Sequence, residues 1–581
     1  MEWTLNEKQK EAVYAPLNSH TLVIAPAGTG KTEVLVSRIL YLLENSIRPE
    51  EICAITFTNY AANEMLQRIK EKFNDVRRMP IAIGTLHSLY GQMLRYDIDD
   101  LNTSLDYRFK IADELQQCSI LENKEIKVIS NFKYIKQLRK LSNLISKHKV
   151  SKHLNPQNTT DLEKEGLVSV YEKYEMILRR RKMVDYDDLL IYMDKLFEEN
   201  PRILNYWRNK YRVVLVDECQ DLSLLQFKLI TRLIGENSIF FGVGDPHQCI
   251  YAFAGAQKNI FKKFKAFFKN KNYVQIDLLE NYRSTRKIVD YSNQIKLFEP
   301  YAKVVKDEEG LVEVISVPDL IEKLKTEDLS QWVVLFKENK HADFLIKHAI
   351  ENGIPFKASL FKLIERDEIQ IIISYLRLIY FNNFNSFWRL VQLKSIELSG
   401  DARWKLFKIN PTGEHLTLYA RWIEGEEQNW FDNPEDCEKL NTFLRKIKEL
   451  RTQDISNLSK LAESLIPHLF KVELKGIKKE SISLFIKWLD NIQPEKTRES
   501  AEKIVLDIEN KAKFFKEPEE NEDPNYLTLI TIYKSKGLGW NNVAVLEYDL
   551  LQECARRRDE ENEFLEYVSV TRAKTKLFLI K

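Results

Sequence analysis

Leu22-Val23-Ile24-Ala25-Pro26-Ala27-Gly28-Thr29-Gly30-Lys31-Thr32 reads as a buried strand, a glycine-bearing turn and the head of a helix. Small residues from Ala25 to Gly30 let backbone N–H groups close on phosphate oxygens, and the helix N-terminus adds a positive dipole at the same place. Lys31 is set to reach the outer phosphates, and the Thr32 hydroxyl to ligate Mg²⁺. Ala25 stands where the general pattern has glycine. A chance glycine turn is the bland alternative, and a second acidic strand argues against it. In Val213-Val214-Leu215-Val216-Asp217-Glu218, four apolar residues deliver two carboxylates to the carboxyl edge of a sheet, where open α/β sites lie. Asp217 is expected to hold Mg²⁺ through its water shell, and Glu218 to orient and deprotonate an attacking water.

Outward from these two strands the same alternation continues. Apolar runs at Thr21–Ala25, Ile52–Thr56, Val213–Val216 and Ile239–Val243 alternate with helical stretches such as Thr32–Leu43 and Ala61–Phe73, which predicts a parallel sheet covered by helices. A second set follows at Val312–Ile315, Trp332–Phe336, Leu527–Ile532, Val543–Leu546 and Leu577–Ile580. The fold class is therefore α/β, with two lobes. The first is expected over 1–94 and 185–280, and the second over 281–378 and 525–581. Each carries a mainly helical insert. The first, 95–184, holds a lysine-rich run from Lys124 to Lys152 and a turn at Asn155 to Thr160. The second, 379–524, carries Trp388, Trp404, Trp422, Trp430 and Trp488, which read as core before ligand stackers, and ends in the acidic linker Glu517–Pro524.

Bulk properties exclude several classes. A chain of 581 residues is too long for one core, and 44% apolar residues is ordinary for folded protein. The 88 basic and 86 acidic side chains nearly cancel to +2, so any nucleic-acid path must be local. Cys53, Cys118, Cys219, Cys249, Cys437 and Cys554 form no C-x-x-C pair, which argues against a zinc site or a disulfide framework. No stretch reaches the roughly 18 uninterrupted apolar residues of a membrane span, and the polar start carries no signal core, so no membrane and a cytoplasmic location are expected.

Family resemblance becomes specific at Asp217-Glu218-Cys219-Gln220-Asp221, which resembles the D-E-x-Q-D signature of UvrD/Rep/PcrA-type superfamily 1 helicases. The remaining motifs of that family follow in order from Leu5 to Lys574. The resemblance implies two RecA-like P-loop lobes, ATP and Mg²⁺ as cofactors, and residue roles carried over by motif. Leu5-Asn6-Glu7-Lys8-Gln9 makes Gln9 the adenine contact. Gly244-Asp245-Pro246-His247-Gln248 makes Gln248 the γ-phosphate sensor. Leu279-Glu280-Asn281-Tyr282-Arg283-Ser284-Thr285 gives Tyr282 for stacking on adenine and Arg283 for the γ-phosphate. Tyr567-Val568-Ser569-Val570-Thr571-Arg572-Ala573-Lys574 gives Arg572 as the second arginine. Lys31 and Glu218 are expected on one lobe, Arg283 and Arg572 on the other, with ATP between them. Gly537, in Tyr533-Lys534-Ser535-Lys536-Gly537-Leu538-Gly539-Trp540, is a further nucleotide contact.

For single-stranded DNA the resemblance implies Phe57 as a base contact, Thr58 as a phosphate contact, His87 close to the strand, and Tyr251 and Phe253 as base-stackers. Movement 3′ to 5′ along the strand, and unwinding of duplexes with a single-stranded tail, are expected by resemblance alone. The sequence also departs from the family pattern. Ala252 and Ala254 replace common arginines, Tyr533 replaces a histidine and Gly539 a glutamate, which bears on phosphate grip and on sugar selectivity. The chain ends at Lys581, soon after Arg572. Compact relatives of this kind occur in Gabija-type antiphage systems, so a subunit that senses DNA and nucleotide and gates a partner nuclease is the alternative expectation.

Overall fold

In the computed structural model the apolar run before the glycine turn is strand β1 (His20–Ile24), buried along its whole length. The structure describes residues 5–72, 81–121, 126, 135–358, 364, 366–381, 383–391, 393, 396–399, 402, 406, 431–469, 477–508, 525–557 and 562–581. The linker expected at 517–524 and Trp404, Trp422 and Trp430 lie outside them, as does the side chain of Trp388, while Trp488 is fully buried. Contacts divide the chain into two compact units, Met1–Gly310 with Gln552–Thr571, and Leu311–Leu551 with Arg572–Lys581.

In the first unit β1 is joined by β2 (Ile52–Thr56), β3 (Ala82–Thr85), β4 (Val213–Val216), β5 (Ile239–Gly244) and β6 (Tyr273–Asp277) in the order β3-β2-β4-β5-β1-β6. Every pairing is parallel. β1, β2, β4 and β5 are buried at every position, as in a parallel sheet with both faces covered, which removes the polar alternation a half-exposed strand would show. The edge strands β3 and β6 are half-buried and were not read from the sequence. Helix α1 (Glu7–Val13) opens with a capping box, in which Asn6 accepts from the Gln9 N–H and the Gln9 side chain accepts from the Asn6 N–H. Helix α2 (Lys31–Glu44) follows the turn, with Gly30 in the left-handed conformation at its N-cap.

The first insert builds its own core from Leu138, Leu141, Ile145, Val170, Tyr174 and Ile177, among others. Helices α3 (Ile135–Leu154), α4 (Val168–Arg180) and α5 (Tyr186–Glu199) meet at a buried ion cluster. Lys149 Nζ lies 2.7 Å from each of Glu175, Asp185 and Asp188. Asp185 and Asp188 also form the capping box that starts α5, so one set of carboxylates closes a helix end and ties three helices together. Burial disfavours the charged ammonium, yet Asp188, Asp185 and Glu175 outweigh it and hold Lys149 well above the usual lysine range. The three carboxylates lie close enough to share a metal ion, but the lysine occupies their centre.

The second unit contains a parallel sheet of β7 (Leu311–Ile315), β8 (Trp332–Phe336), β9 (Phe356–Ala358), β10 (Leu527–Thr531), β11 (Trp540–Val545) and β12 (Ala573–Ile580), in the order β7-β12-β11-β8-β10-β9. Its helical insert includes Asp367–Phe381, Pro434–Thr452, Leu458–Leu469, Ile477–Ile492 and Arg498–Leu506. Here the insert does not build a separate core, because Ile372, Leu376, Phe443 and Trp488 belong to the same buried cluster as Trp332, Leu527 and Phe578 of the sheet. Among the described residues no helix is long and apolar enough to cross a membrane.

The ion cluster yields a prediction. Lys149→Met takes the ammonium from the centre of three carboxylates, leaving Arg179 to pair with Glu175 and Asp188 and buried Asp185 without its ion pair, a change that costs about 3–5 kcal/mol. Native-state hydrogen exchange should show the opening free energy of Ile135–Leu154 falling by about that amount, and unchanged protection there would contradict the assignment.

Candidate active site

The turn after β1 has the shape a phosphate requires. Gly28 and Gly30 take φ of +79° and +87°, a region L side chains rarely adopt. A Cβ on Gly28 would lie 2.8 Å from both the Arg283 Cβ and the Asn281 Nδ2, and one on Gly30 would lie 2.7 Å from the Gln9 Nε2. The loop is thus held closely on two sides. Gln9 is buried and donates to the Thr29 carbonyl at 3.1 Å. Thr29 Oγ1 donates to the Pro26 carbonyl at 2.8 Å. Lys31 folds back so that its Nζ donates to the Ala25 carbonyl at 3.0 Å. Thr32 sits in the first turn of α2.

Asn281 forms the other side. Its Nδ2 donates to the Ala27 carbonyl at 2.9 Å, while its Oδ1 accepts from the N–H groups of Arg283 and Ser284, each at 2.9 Å. The Tyr282 N–H donates to the Gly28 carbonyl at 2.9 Å. Arg283, expected with the second lobe, therefore belongs to the first unit, as do all of residues 281–310. Its Nη1 donates to the Thr571 carbonyl at 3.3 Å, and burial pulls its guanidinium below the usual arginine range against the pull of the Glu218 charge. Tyr282 is 39% exposed, and its hydroxyl pairs with Glu280 at 2.7 Å and with Asn6 at 2.6 Å, which brings the expected adenine-stacking ring to the end of α1 that carries Gln9.

Asp217 and Glu218 leave the carboxyl end of β4. Glu218 takes a left-handed conformation (φ 48°), a strained choice for a residue with a Cβ and one that clusters at functional sites. Burial first, and the adjacent Glu218 charge second, push the Asp217 carboxyl up to about 7, while Lys31 pulls it down. A desolvated carboxylate pair of this kind is poised for a divalent cation, whose charge would favour ionisation of both acids. The donor set is one that suits Mg²⁺: hard oxygens from Asp217 and Thr32, with phosphates and water completing the shell.

From Glu218 a hydrogen-bonded chain runs across the sheet edge. Gln220 donates to Glu218 through Nε2 and accepts from the Asp245 N–H at 2.9 Å. Asp245 in turn accepts from Gln248 Nε2 at 2.8 Å and from the Tyr567 hydroxyl at 3.4 Å. The same Tyr567 oxygen accepts from the Ala27 N–H at 3.4 Å, which returns the chain to the phosphate loop. Asn281, Gln220, Asp245 and Tyr567 were quoted within motifs but given no role by sequence reasoning. Their one signal was adjacency to residues that had roles.

The aromatic residues expected to meet DNA also come together. Phe57 stacks on Tyr251 with ring centroids 4.8 Å apart, and Tyr251 meets Phe253 edge-on at 6.0 Å. Phe57 and Phe253 are 38% and 43% exposed, too much for core packing. Ala252 and Ala254 lie in the short helix that carries Phe253. The Thr58 hydroxyl accepts from the Ala61 N–H at 3.1 Å, an N-cap contact. His87 stands edge-on to Tyr186 at 5.7 Å, and burial lowers it to about 4, so it is neutral at physiological pH. A cavity of about 120 Å³ is lined by Phe57, Thr85, His87, Asp217 and Glu218 among others.

Gly537 and Arg572 belong to the second unit. Gly537 takes φ +84° beyond the short helix Ile532–Ser535, which carries Tyr533. Arg572 is fully buried and donates to the Leu538 carbonyl at 3.1 Å, while its own carbonyl accepts from the Trp540 N–H at 3.0 Å. Those two site residues are thus brought together beside Gly539.

Comparison with known proteins agrees with this geometry. A family model for the UvrD/REP helicase N-terminal domain matches residues 5–269, and one for the UvrD-like helicase C-terminal domain matches residues 276–581. The chain is 29% identical to an ATP-dependent DNA helicase Rep of Buchnera aphidicola, over 99% of this chain and 94% of the relative. It is 28% identical to a DNA helicase II of Haemophilus influenzae and 26% identical to an ATP-dependent DNA helicase PcrA of Staphylococcus aureus, each over 99% of this chain and 83% of the relative. With both halves of its length matched and the expected motifs assembled on two parallel-sheet α/β units, the chain belongs to the UvrD/Rep family of superfamily 1 helicases.

Proposed function

We propose that the protein is an ATP-dependent DNA helicase that hydrolyses ATP with Mg²⁺ while moving 3′ to 5′ along single-stranded DNA. One observation carries this reading. The segment Gln248 to Phe253 holds the expected γ-phosphate sensor at one end and the base-stacking aromatics at the other, so a change at the nucleotide is felt at the strand within six residues.

In this reading Lys31 and the loop from Ala25 to Gly30 bind the phosphates, and Thr32 and Asp217 hold Mg²⁺. The metal ion supplies charge neutralisation on the phosphates. Glu218 orients the attacking water and takes its proton, its position set by the left-handed backbone and by Gln220. Gln248 and Arg283 read the γ-phosphate, and Arg572 supplies a second guanidinium to it. Gln9 and Tyr282 hold the adenine, and Gly537 contributes near the nucleotide as the family motif implies. Phe57, Tyr251 and Phe253 stack on bases, with Thr58 and His87 beside the strand. Neutral His87 offers hydrogen bonding to a strand without charge. Stacking of this kind is tolerant of sequence, as a motor requires.

Steady-state ATPase assays test the reading, with strong stimulation by single-stranded DNA as the expected result. Turnover that ignores DNA, or faster unwinding of duplexes with 5′ tails than with 3′ tails, would count against it. Lys31→Ala should lower kcat by about 10²–10³-fold or more, the scale for removing a charge-stabilising donor. Arg572→Ala should lower kcat by about 10³-fold while nucleotide affinity changes little, because an arginine finger acts on the transition state. For Phe57→Ala, titration with labelled oligonucleotide should show roughly 10-fold to 100-fold weaker binding, the worth of one stacked base. Equal affinity would remove Phe57 from the track.

A further inference from the structure

Lys296 lies outside every motif, just beyond the helix Arg286–Gln294, and is 7% exposed. Its Nζ donates to the Pro300 carbonyl at 2.7 Å and stands 5.3 Å from the centroid of the Tyr567 ring and 5.9 Å from that of Tyr301. Tyr567 is the residue whose hydroxyl joins the Ala27 N–H to Asp245. Next to it, Phe298 stacks on His247 at 4.1 Å, and His247 packs against the Tyr567 ring at 5.4 Å. Burying an ammonium among aromatic rings is costly where an unbranched apolar side chain of the same length would fill the space without penalty. The cation needs a reason. Asp245 supplies one: burial alone would raise its carboxyl, but His247, Lys31 and Lys296 hold it well below the usual carboxylate range. Ionised Asp245 is what accepts from Gln248.

We propose that Lys296 is a positioning residue for ATP hydrolysis, its buried ammonium fixing the Tyr567 ring and the ionised Asp245 so that the chain from Ala27 to Gln248 stays aligned on the γ-phosphate. The proposal rests on the ATPase reading above and adds to it a residue that touches neither nucleotide nor DNA. The groups facing Lys296 are Asp245 beyond β5, Lys31 at the head of α2, Tyr567 and Tyr301, with His247 packed on the Tyr567 ring. Burial pushes Lys296 down to about 8, with Asp245 raising it and Lys31 lowering it. The sign follows. In the free enzyme the ammonium is present below about 8 and lost above it, so kcat/KM falls as pH rises through that value. Bound triphosphate is anionic and favours the charged form, so kcat holds to higher pH than kcat/KM.

The test is the DNA-stimulated ATPase of wild type, Lys296→Met and Lys296→Arg across pH, with Lys31→Ala as the inactive control. For Lys296→Met the expectation is kcat lowered about 10-fold at neutral pH, KM within about twofold, and no alkaline fall in kcat/KM near 8. Lys296→Arg should recover most of kcat and keep it to higher pH, because a guanidinium stays charged. A wild-type enzyme without the alkaline fall, a Lys296→Met variant that keeps both wild-type kcat and the fall, or a folded Lys296→Arg variant no better than Lys296→Met overturns the role. Absence of turnover in the wild type itself would instead overturn the ATPase reading.

Discussion

Everything at the nucleotide site depends on the amide of Asn281. One side chain satisfies the Ala27 carbonyl with its N–H and two backbone donors, at Arg283 and Ser284, with its oxygen. It is buried, so losing any of these contacts leaves a polar group without water to replace the partner, at a cost of about 1–3 kcal/mol each. That penalty makes the distance between the phosphate loop and Arg283 a fixed quantity. The close approach also explains Gly28, since no side chain fits between the two segments. Loop geometry, glycine choice and arginine placement are therefore one constraint.

The second unifying feature is continuity. Glu218, Gln220, Asp245 and Gln248 form a chain of hydrogen bonds that begins at the acid pair after β4 and ends where the aromatic segment begins. Tyr567 closes it onto the phosphate loop. In a buried network each member is held by the next, so a shift at one end must be accommodated along its length. The strained backbone at Glu218 belongs to the same logic: the surrounding bonds over-determine a conformation the residue would not choose alone.

Much of this was legible in the sequence, for identifiable reasons. β1, β2, β4 and β5 could be read because burial on both faces turns a strand into an unbroken apolar run. The edge strands β3, β6 and β9 escaped, being short or polar on one side. The glycine turn and the acid pair could be singled out because chemistry dictates residue type there, whereas the mutual ring contacts of Phe57, Tyr251 and Phe253 appear only in the fold. Three more things were not legible. Lys149 and its carboxylates span residues 149 to 188, and only the fold makes them neighbours. Residues 281–310 and 552–571, both expected with the second lobe, fall in the first unit, and long-range contacts there such as Asn281–Ala27 leave no local pattern. Lys296 reads as one lysine among many until its burial is known.

The proposed function rests most on the γ-phosphate contacts of Lys31, Gln248 and Arg283, three residues of the first unit. A crystal structure with ADP, aluminium fluoride and Mg²⁺ tests it most directly. The account predicts Lys31 Nζ and the Arg283 guanidinium within hydrogen-bond distance of the fluoride, with the Asn281–Ala27 contact unchanged. Arg283 still directed at the Thr571 carbonyl and remote from the fluoride would contradict it.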